Sequence, residues 1–229
     1  MPSTPILFAV ALTLLMLGRL GGAYAQEIKS APGQFDYYVL NMSWAPAFCD
    51  NLKTLTPGER STATTDDLQC ETPHAFVLHG LWTQNNDGTY PGYCAERGGP
   101  LHPERNLDMT PNIALLRHEW AKHGTCTTLS PEAFFATARQ AYTSVTVPPQ
   151  LKDLEHDAVM RPAEVLTLFY RANPSFPQGS FVLSCSNSQL TAVEACFNKD
   201  VQPMACVNLK SCSADAIKVM SESPGSVVQ

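Results

Sequence analysis

Basic residues are scarce in this chain. Fifteen Lys and Arg face 21 Asp and Glu over 229 residues, a formal net charge of −6. That balance excludes a protein that coats nucleic acid through a broad basic surface. Charge of either sign is sparse, at 16%, while 44% of residues are hydrophobic. A chain so apolar can offset its ordering entropy, which excludes intrinsic disorder. There is no Gly-x-y repeat, no sustained heptad, no internal repeat and no Pro/Gly/Ser linker long enough to divide the chain. Collagen-like, coiled-coil and polytopic membrane classes drop out, and the length points to one domain, or at most two. No C-x-x-C pair occurs among the eight cysteines, so a zinc-ribbon reading has no support.

Long hydrophobic runs are also missing, with one exception. Ile6 to Leu17 is apolar and is followed by small residues ending in Ala23-Tyr24-Ala25. The run is short of the roughly 20 residues a membrane span needs. It reads as a signal peptide over residues 1–25, cleaved before Gln26, although no basic residue precedes it and Arg19 follows it. Cleavage would leave residues 26–229 as one domain and, by removing Arg19, move the charge to −7. The alternative is an uncleaved anchor. Export to an oxidising compartment, secreted or periplasmic, makes Cys49, Cys70, Cys94, Cys126, Cys185, Cys196, Cys206 and Cys212 disulfide candidates. Eight cysteines allow about 105 pairings, so spacing leaves the connectivity open.

Phe35 to Trp44 is aromatic and β-branched and predicts a strand, and Ala75 to Leu81 predicts a short buried one. Asp50 to Gln69 is polar and Thr-rich and predicts a loop between Cys49 and Cys70, and Asn85 to Pro100 is rich in turn residues. Helices are predicted from Ile113 to His123, from Pro131 to about Tyr142 behind a Ser130 cap, and from Pro162 to about Ala172. The second should bury Phe135, Ala138 and Tyr142. Ser180 to Cys185 and Leu190 to Phe197 predict a hairpin about Asn187-Ser188. Strands and helices without regular βαβ units give an α+β class. Asn41-Met42-Ser43 has the form of a glycosylation sequon, but it lies inside a predicted strand and is read as chance.

The densest chemistry is Arg117-His118-Glu119-Trp120-Ala121-Lys122-His123-Gly124. At about 100° per residue, with His118 at 0°, Lys122 falls near 40°, Glu119 near 100° and His123 near 140°. The polar groups share one arc and Ile113, Leu116 and Trp120 an adjoining apolar one. His118-Glu119 begins like the zinc motif H-E-x-x-H, but the second ligand position holds Lys122, whose ammonium does not ligate. The bland reading is a solvated helix face. A second segment, His79-Gly80-Leu81-Trp82, adds a histidine at the end of a strand, beside a glycine that admits close approach and an aromatic surface. Several histidines, a glutamate, a lysine and an aromatic suit RNA cleavage through its own 2′-OH. One imidazole takes the 2′-OH proton, another protonates the leaving 5′ oxygen, and a cation steadies the phosphorane.

These two segments, with Thr125-Cys126, resemble the two active-site segments of the ribonuclease T2 family. The likeness runs from about Phe35 to Cys212, with Trp44, Pro46 and Cys49 resembling the family's opening. Cys185-Ser186-Asn187 with Leu190, Val193 and Cys196 resembles its closing hairpin. The resemblance implies a single domain with a central antiparallel sheet flanked by helices. It implies disulfides Cys49–Cys70, Cys94–Cys126, Cys185–Cys212 and Cys196–Cys206. His123 would be the base and His79 the acid, with the roles exchanged in hydrolysis of the 2′,3′-cyclic phosphate. His118 would hold the phosphate, and Glu119 and Lys122 would stabilise the pentacovalent state. Trp82 and Tyr90 would stack on a base, with Gln84 at its edge. No metal or other cofactor is implied. The partner would be single-stranded RNA, not DNA, for a protein that is monomeric and free of the membrane after signal cleavage. Thr83 replaces the usual Pro, Gln84 stands where some members have a purine-favouring Asp, and Leu115 and Leu116 stand where aromatics are common. Among the other histidines, His74 should begin the strand to His79, and His102 and His156 should lie on the surface. The competing reading is a catalytically inactive secreted RNA-binding or interaction protein of the same fold.

Overall fold

Alternation of large apolar and polar side chains makes Tyr37–Trp44 a strand, β2, at the centre of the sheet. The computed structural model describes residues 26–54, 68–72 and 74–221. The expected signal peptide and most of the expected 50–69 loop lie outside these residues. Leu40, Met42 and Trp44 enter the main core, whereas Tyr37 and Val39 join a smaller cluster with Cys196.

Among the described residues eight strands form two sheets. The larger has the order β3-β2-β7-β8-β5, with β6 also paired to β7. Its members are β2, β3 (Phe76–Gln84), β5 (Ala158–Met160), β6 (Phe181–Ser186), β7 (Gln189–Phe197) and β8 (Ile217–Val219). All its pairings are antiparallel except the short β7–β8 contact. The smaller sheet pairs β1 (Gln26–Ile28) in parallel with β4 (Thr89–Pro91). Asn187 and Ser188 both take positive φ, 49° and 56°, the backbone a two-residue hairpin turn requires.

The described residues hold five α-helices: α1 (Ala45–Thr54), α2 (Ile113–Lys122), α3 (Pro131–Ser144), α4 (Pro149–Lys152) and α5 (Pro162–Ala172). The α+β class holds, with helices α2, α3 and α5 where the sequence predicts them. Helix α1 corrects the expected loop: residues 50–54 continue a helix that begins at Ala45. Pro46 is compatible with it because the first turn needs no amide donor there. Ser130 Oγ accepts from Ala133 N at 3.2 Å, so the α3 cap is as expected. That helix buries Phe134 besides Phe135 and Ala138, while Tyr142 is half-buried and donates to Phe76 O at 3.0 Å. No helix among the described residues is long and apolar enough to cross a membrane.

All eight cysteines are paired, as Cys49–Cys70, Cys94–Cys126, Cys185–Cys212 and Cys196–Cys206. This is the pairing the family resemblance implies. Cys94–Cys126 ties the turn after α2 to the loop after β4. Arg97 reinforces the same turn, donating to Gly124 O, Thr127 O and Leu129 O while lying over Trp120. The disulfide closes a 32-residue separation. Replacing both cysteines with alanine is expected to destabilise the fold by roughly 3–4 kcal/mol, read as a lower urea midpoint. An unchanged midpoint would show that Arg97 holds the turn alone.

Candidate active site

On a regular strand His79 and Trp82, three residues apart, would face opposite sides of the sheet. The β2–β3 register prevents this. Asn41 lies opposite Gly80 and Met42 opposite Leu78, which leaves His79 as the extra residue of a bulge. Leu78 and Leu81 both stay in the core, and the bulge brings His79 onto the same face as Trp82. Their rings meet edge to face at 5.5 Å.

Helix α2 supplies the rest. Asn112 caps it, its side chain accepting from Leu115 N at 2.9 Å. Leu116 and Trp120 anchor it in the core, each 1% exposed. Glu119 is thereby pressed onto β3. It accepts from Trp82 Nε1 at 2.9 Å and lies 3.6 Å from His79 Nε2. Gly80 makes the contact possible, since a Cβ there would fall 1.8 Å from Glu119 Oε2. His123, the C-cap residue of α2, is buried and stacks on Trp82 at 5.7 Å with the planes 27° apart. Both imidazoles therefore touch one indole. Tyr90 stands 6.4 Å from the His123 ring, and Lys122 Nζ lies 5.2 Å from the Tyr90 centroid.

Burial sets the protonation. It pushes Glu119 up to about 8, against the opposing pull of the Trp82 hydrogen bond and the Lys122 charge. It pushes His123 down to about 3, with Lys122, His118 and His79 adding to the effect. Nδ1 of His123 is buried with no hydrogen-bond partner among the described residues, so nothing there rewards a second proton on the ring. His79 is lowered by the same cause first, then by the charges of His118 and Lys122. Its side chain keeps 39% exposure, against 3% for Glu119. Attraction across the 3.6 Å separation favours a charged His79–Glu119 pair, and burial favours a neutral one. With the carboxyl enclosed, burial wins, and a single proton serves the pair. His118 is exposed at the rim, edge-on to Tyr93 at 6.3 Å, and burial and Lys122 lower it too.

His79, His118, Glu119, Lys122, His123, Trp82 and Tyr90 thus converge on one face. Trp82 is committed to Glu119 through its indole N–H and to His123 through its ring face. Gln84 is buried on that face of β3, and its Nε2 has no partner among the described residues. Thr83 is buried too, its hydroxyl donating to Pro91 O at 3.3 Å. His74 lies outside the site, near Thr72 at 2.9 Å, and His102 pairs with Glu104 at 3.1 Å. Ser43 and Glu27 escaped the sequence reading. Ser43 Oγ is 3.3 Å from His79 Nδ1, and Glu27 Oε2 is 3.5 Å from Lys122 Nζ. The bulge beside Ser43 carried no sequence signal, and Glu27 arrives through a nonlocal parallel strand. No group of three or more His, Cys, Asp or Glu among the described residues is arranged to hold a metal ion.

Paired imidazoles, an enclosed carboxyl and an ammonium gathered on a disulfide-stapled α+β frame are the groups of an enzyme site. The chain belongs to the Ribonuclease T2 family, whose model matches residues 35–206. It is 27% identical to Ribonuclease DdI of Dictyostelium discoideum over 235 residues, covering 90% of this chain and 95% of that one. It is 39% identical to a ribonuclease of Aeromonas hydrophila over 115 residues, covering 50% of this chain and 48% of that protein. The fold is similar to that of an RNase-related protein from Calystegia sepium, with a TM-score of 0.64 at 19% identity, covering 82% and 98% of the two chains.

Proposed function

We propose that this ribonuclease is an exported endoribonuclease that cleaves single-stranded RNA through the 2′-OH, with low base specificity and without a metal. The observation that carries the reading is the contact of both His79 and His123 with Trp82, with Glu119 accepting from Trp82 and lying beside His79. His123 takes the 2′-OH proton as the 2′ oxygen bonds to phosphorus. His79 gives a proton to the 5′ oxygen as the P–O5′ bond breaks. The product end is a 2′,3′-cyclic phosphate. In the second step the histidines exchange roles: His79 takes a proton from water as its oxygen bonds to phosphorus, His123 returns a proton to the 2′ oxygen as the P–O2′ bond breaks, and a 3′-phosphate results. His118 and Lys122 hold the phosphate and its developing charge. Glu119 orients His79 and supplies or accepts the proton that the pair shares. Tyr90 and Trp82 offer flat faces to a base, which every base can use. Gln84 can reach a base edge through its amide alone. DNA lacks the nucleophile and is refused.

Cleavage before Gln26 and an oxidising destination fit the four disulfides. The test is digestion of a defined RNA by the oxidised protein in EDTA. Cleavage with transient 2′,3′-cyclic ends that convert to 3′-phosphates is expected, and a DNA of the same sequence should survive. RNA that is bound but left intact from pH 4 to 8 would instead establish an inactive binding protein.

A further inference from the structure

Strand β1 precedes the residues that match the family, 35–206, yet it reaches the centre of the site. It runs parallel to β4 with Glu27 opposite Tyr90, and Ile28 O accepts from Gly92 N at 3.2 Å. Gly92 makes room for the acidic side chain: a Cβ there would fall 2.7 Å from Glu27 Cδ and 2.9 Å from its Oε2. Lys29 continues the contact, donating to Tyr93 O at 3.5 Å. The strand thus delivers a carboxylate to Lys122 from outside the matched core.

A carboxylate on an ammonium presents the same charge and the same oxygen acceptors as a phosphate. Glu27 Oε2 stands 3.5 Å from Lys122 Nζ, on an ammonium already placed over Tyr90. The two side chains keep 36% and 23% exposure, so the pair is open to exchange. Exposed ion pairs of this kind are weak enough for a bound phosphate to displace. Glu27 also offsets the effect of Lys122 on His118.

We propose that Glu27 is a tethered placeholder for the substrate phosphate. It aims Lys122 into the site in the free enzyme and yields the ammonium when the phosphodiester arrives. It is a positioning residue that weakens ground-state binding and speeds release of phosphate-bearing product. The inference rests on Lys122 meeting the phosphate, as the proposed function has it.

The test compares the wild-type enzyme, Glu27→Gln and Lys122→Ala at low salt, by steady-state cleavage and by inhibition with inorganic phosphate. Glu27→Gln is expected to tighten phosphate inhibition and lower KM by roughly twofold to fivefold, with kcat moving less. The difference should shrink as salt screens the pair. Lys122→Ala should weaken phosphate inhibition. If it does, and Glu27→Gln leaves phosphate inhibition and KM unchanged or shifts only thermal stability, Glu27 is an anchor for β1 and the inference is overturned. If Lys122→Ala leaves phosphate inhibition unchanged, the phosphate role of Lys122 falls, and the inference with it.

Discussion

Replacing His123 with alanine is expected to lower kcat on single-stranded RNA by roughly 10²–10⁴-fold, the range by which positioned acid–base groups accelerate such steps. The change removes the ring that burial holds neutral, down to about 3, and therefore ready to accept a proton. Helix α2 should survive, because its anchors are Leu116 and Trp120, and alanine is a good helix former at its last turn. Circular dichroism and the urea midpoint check that point. His79→Ala should fall by a similar factor. The double variant should lose little more than either single one, since the two imidazoles, both in contact with Trp82, act as a unit. Activity within tenfold of wild type in His123→Ala would remove that residue from the proton path.

The same two rings set the pH profile. Activity requires His123 neutral and His79 protonated. Both are shifted below the ordinary histidine value, for which burial is the first cause. The rising limb of kcat/KM belongs to His123 and the falling limb to His79, so both limbs move toward acid. A maximum below about pH 6.5 is expected. The limb for kcat should lie higher, because a bound phosphate anion favours the protonated form of each ring. An optimum for kcat/KM above pH 7 would contradict the assignment of acid and base.

What the sequence made legible follows from the range of the interactions concerned. The α2 cluster could be read because helical periodicity is local: His118, Glu119, Lys122 and His123 fall on one arc whatever the rest of the chain does. Ser130 and the Asn187-Ser188 turn were legible for the same reason. The bulge at His79 was not, because it exists only as a register difference against Asn41 and Met42. Helix α1 was missed because a polar, Thr-rich stretch beyond it dominated the reading of residues 50–69. The parallel β1–β4 pair depends on chain segments some 60 residues apart, and no local pattern announces which strand a three-residue segment will join. Glu27 was therefore invisible. The disulfide pairing came from family likeness, since spacing alone leaves the alternatives equal. The acidic total excluded a basic coat but not a nucleic-acid substrate, because the site gathers its cations, Lys122 and the histidines, at one point.

Replacing Gly80 with alanine should have the other large effect, through a residue that carries no functional group. The added Cβ would lie 1.8 Å from Glu119 Oε2, 2.5 Å from its Cδ and 2.8 Å from Trp82 Nε1. Glu119 cannot swing into solvent, because it is 2% exposed and lies on the helix face that packs against β3. Either the carboxyl leaves its contacts or α2 moves off the strand. Overpacking of this kind costs typically about 1–3 kcal/mol. A half-buried indole N–H left without its acceptor adds up to about 1 kcal/mol more. Each kcal/mol corresponds to roughly 2–4 °C in Tm for a domain of this size. Activity should fall at least about 100-fold, because Glu119 is displaced from His79 and the shared proton is lost. Comparison with Glu119→Ala separates steric from chemical loss. In Gly80→Ala/Glu119→Ala the clashing carboxyl is gone, so the double variant should be more stable than the sum of the single changes allows. Its activity should stay as low as that of Glu119→Ala. A Gly80→Ala enzyme with wild-type Tm and kcat would mean that Glu119 has room to retreat and that its contact with His79 is dispensable.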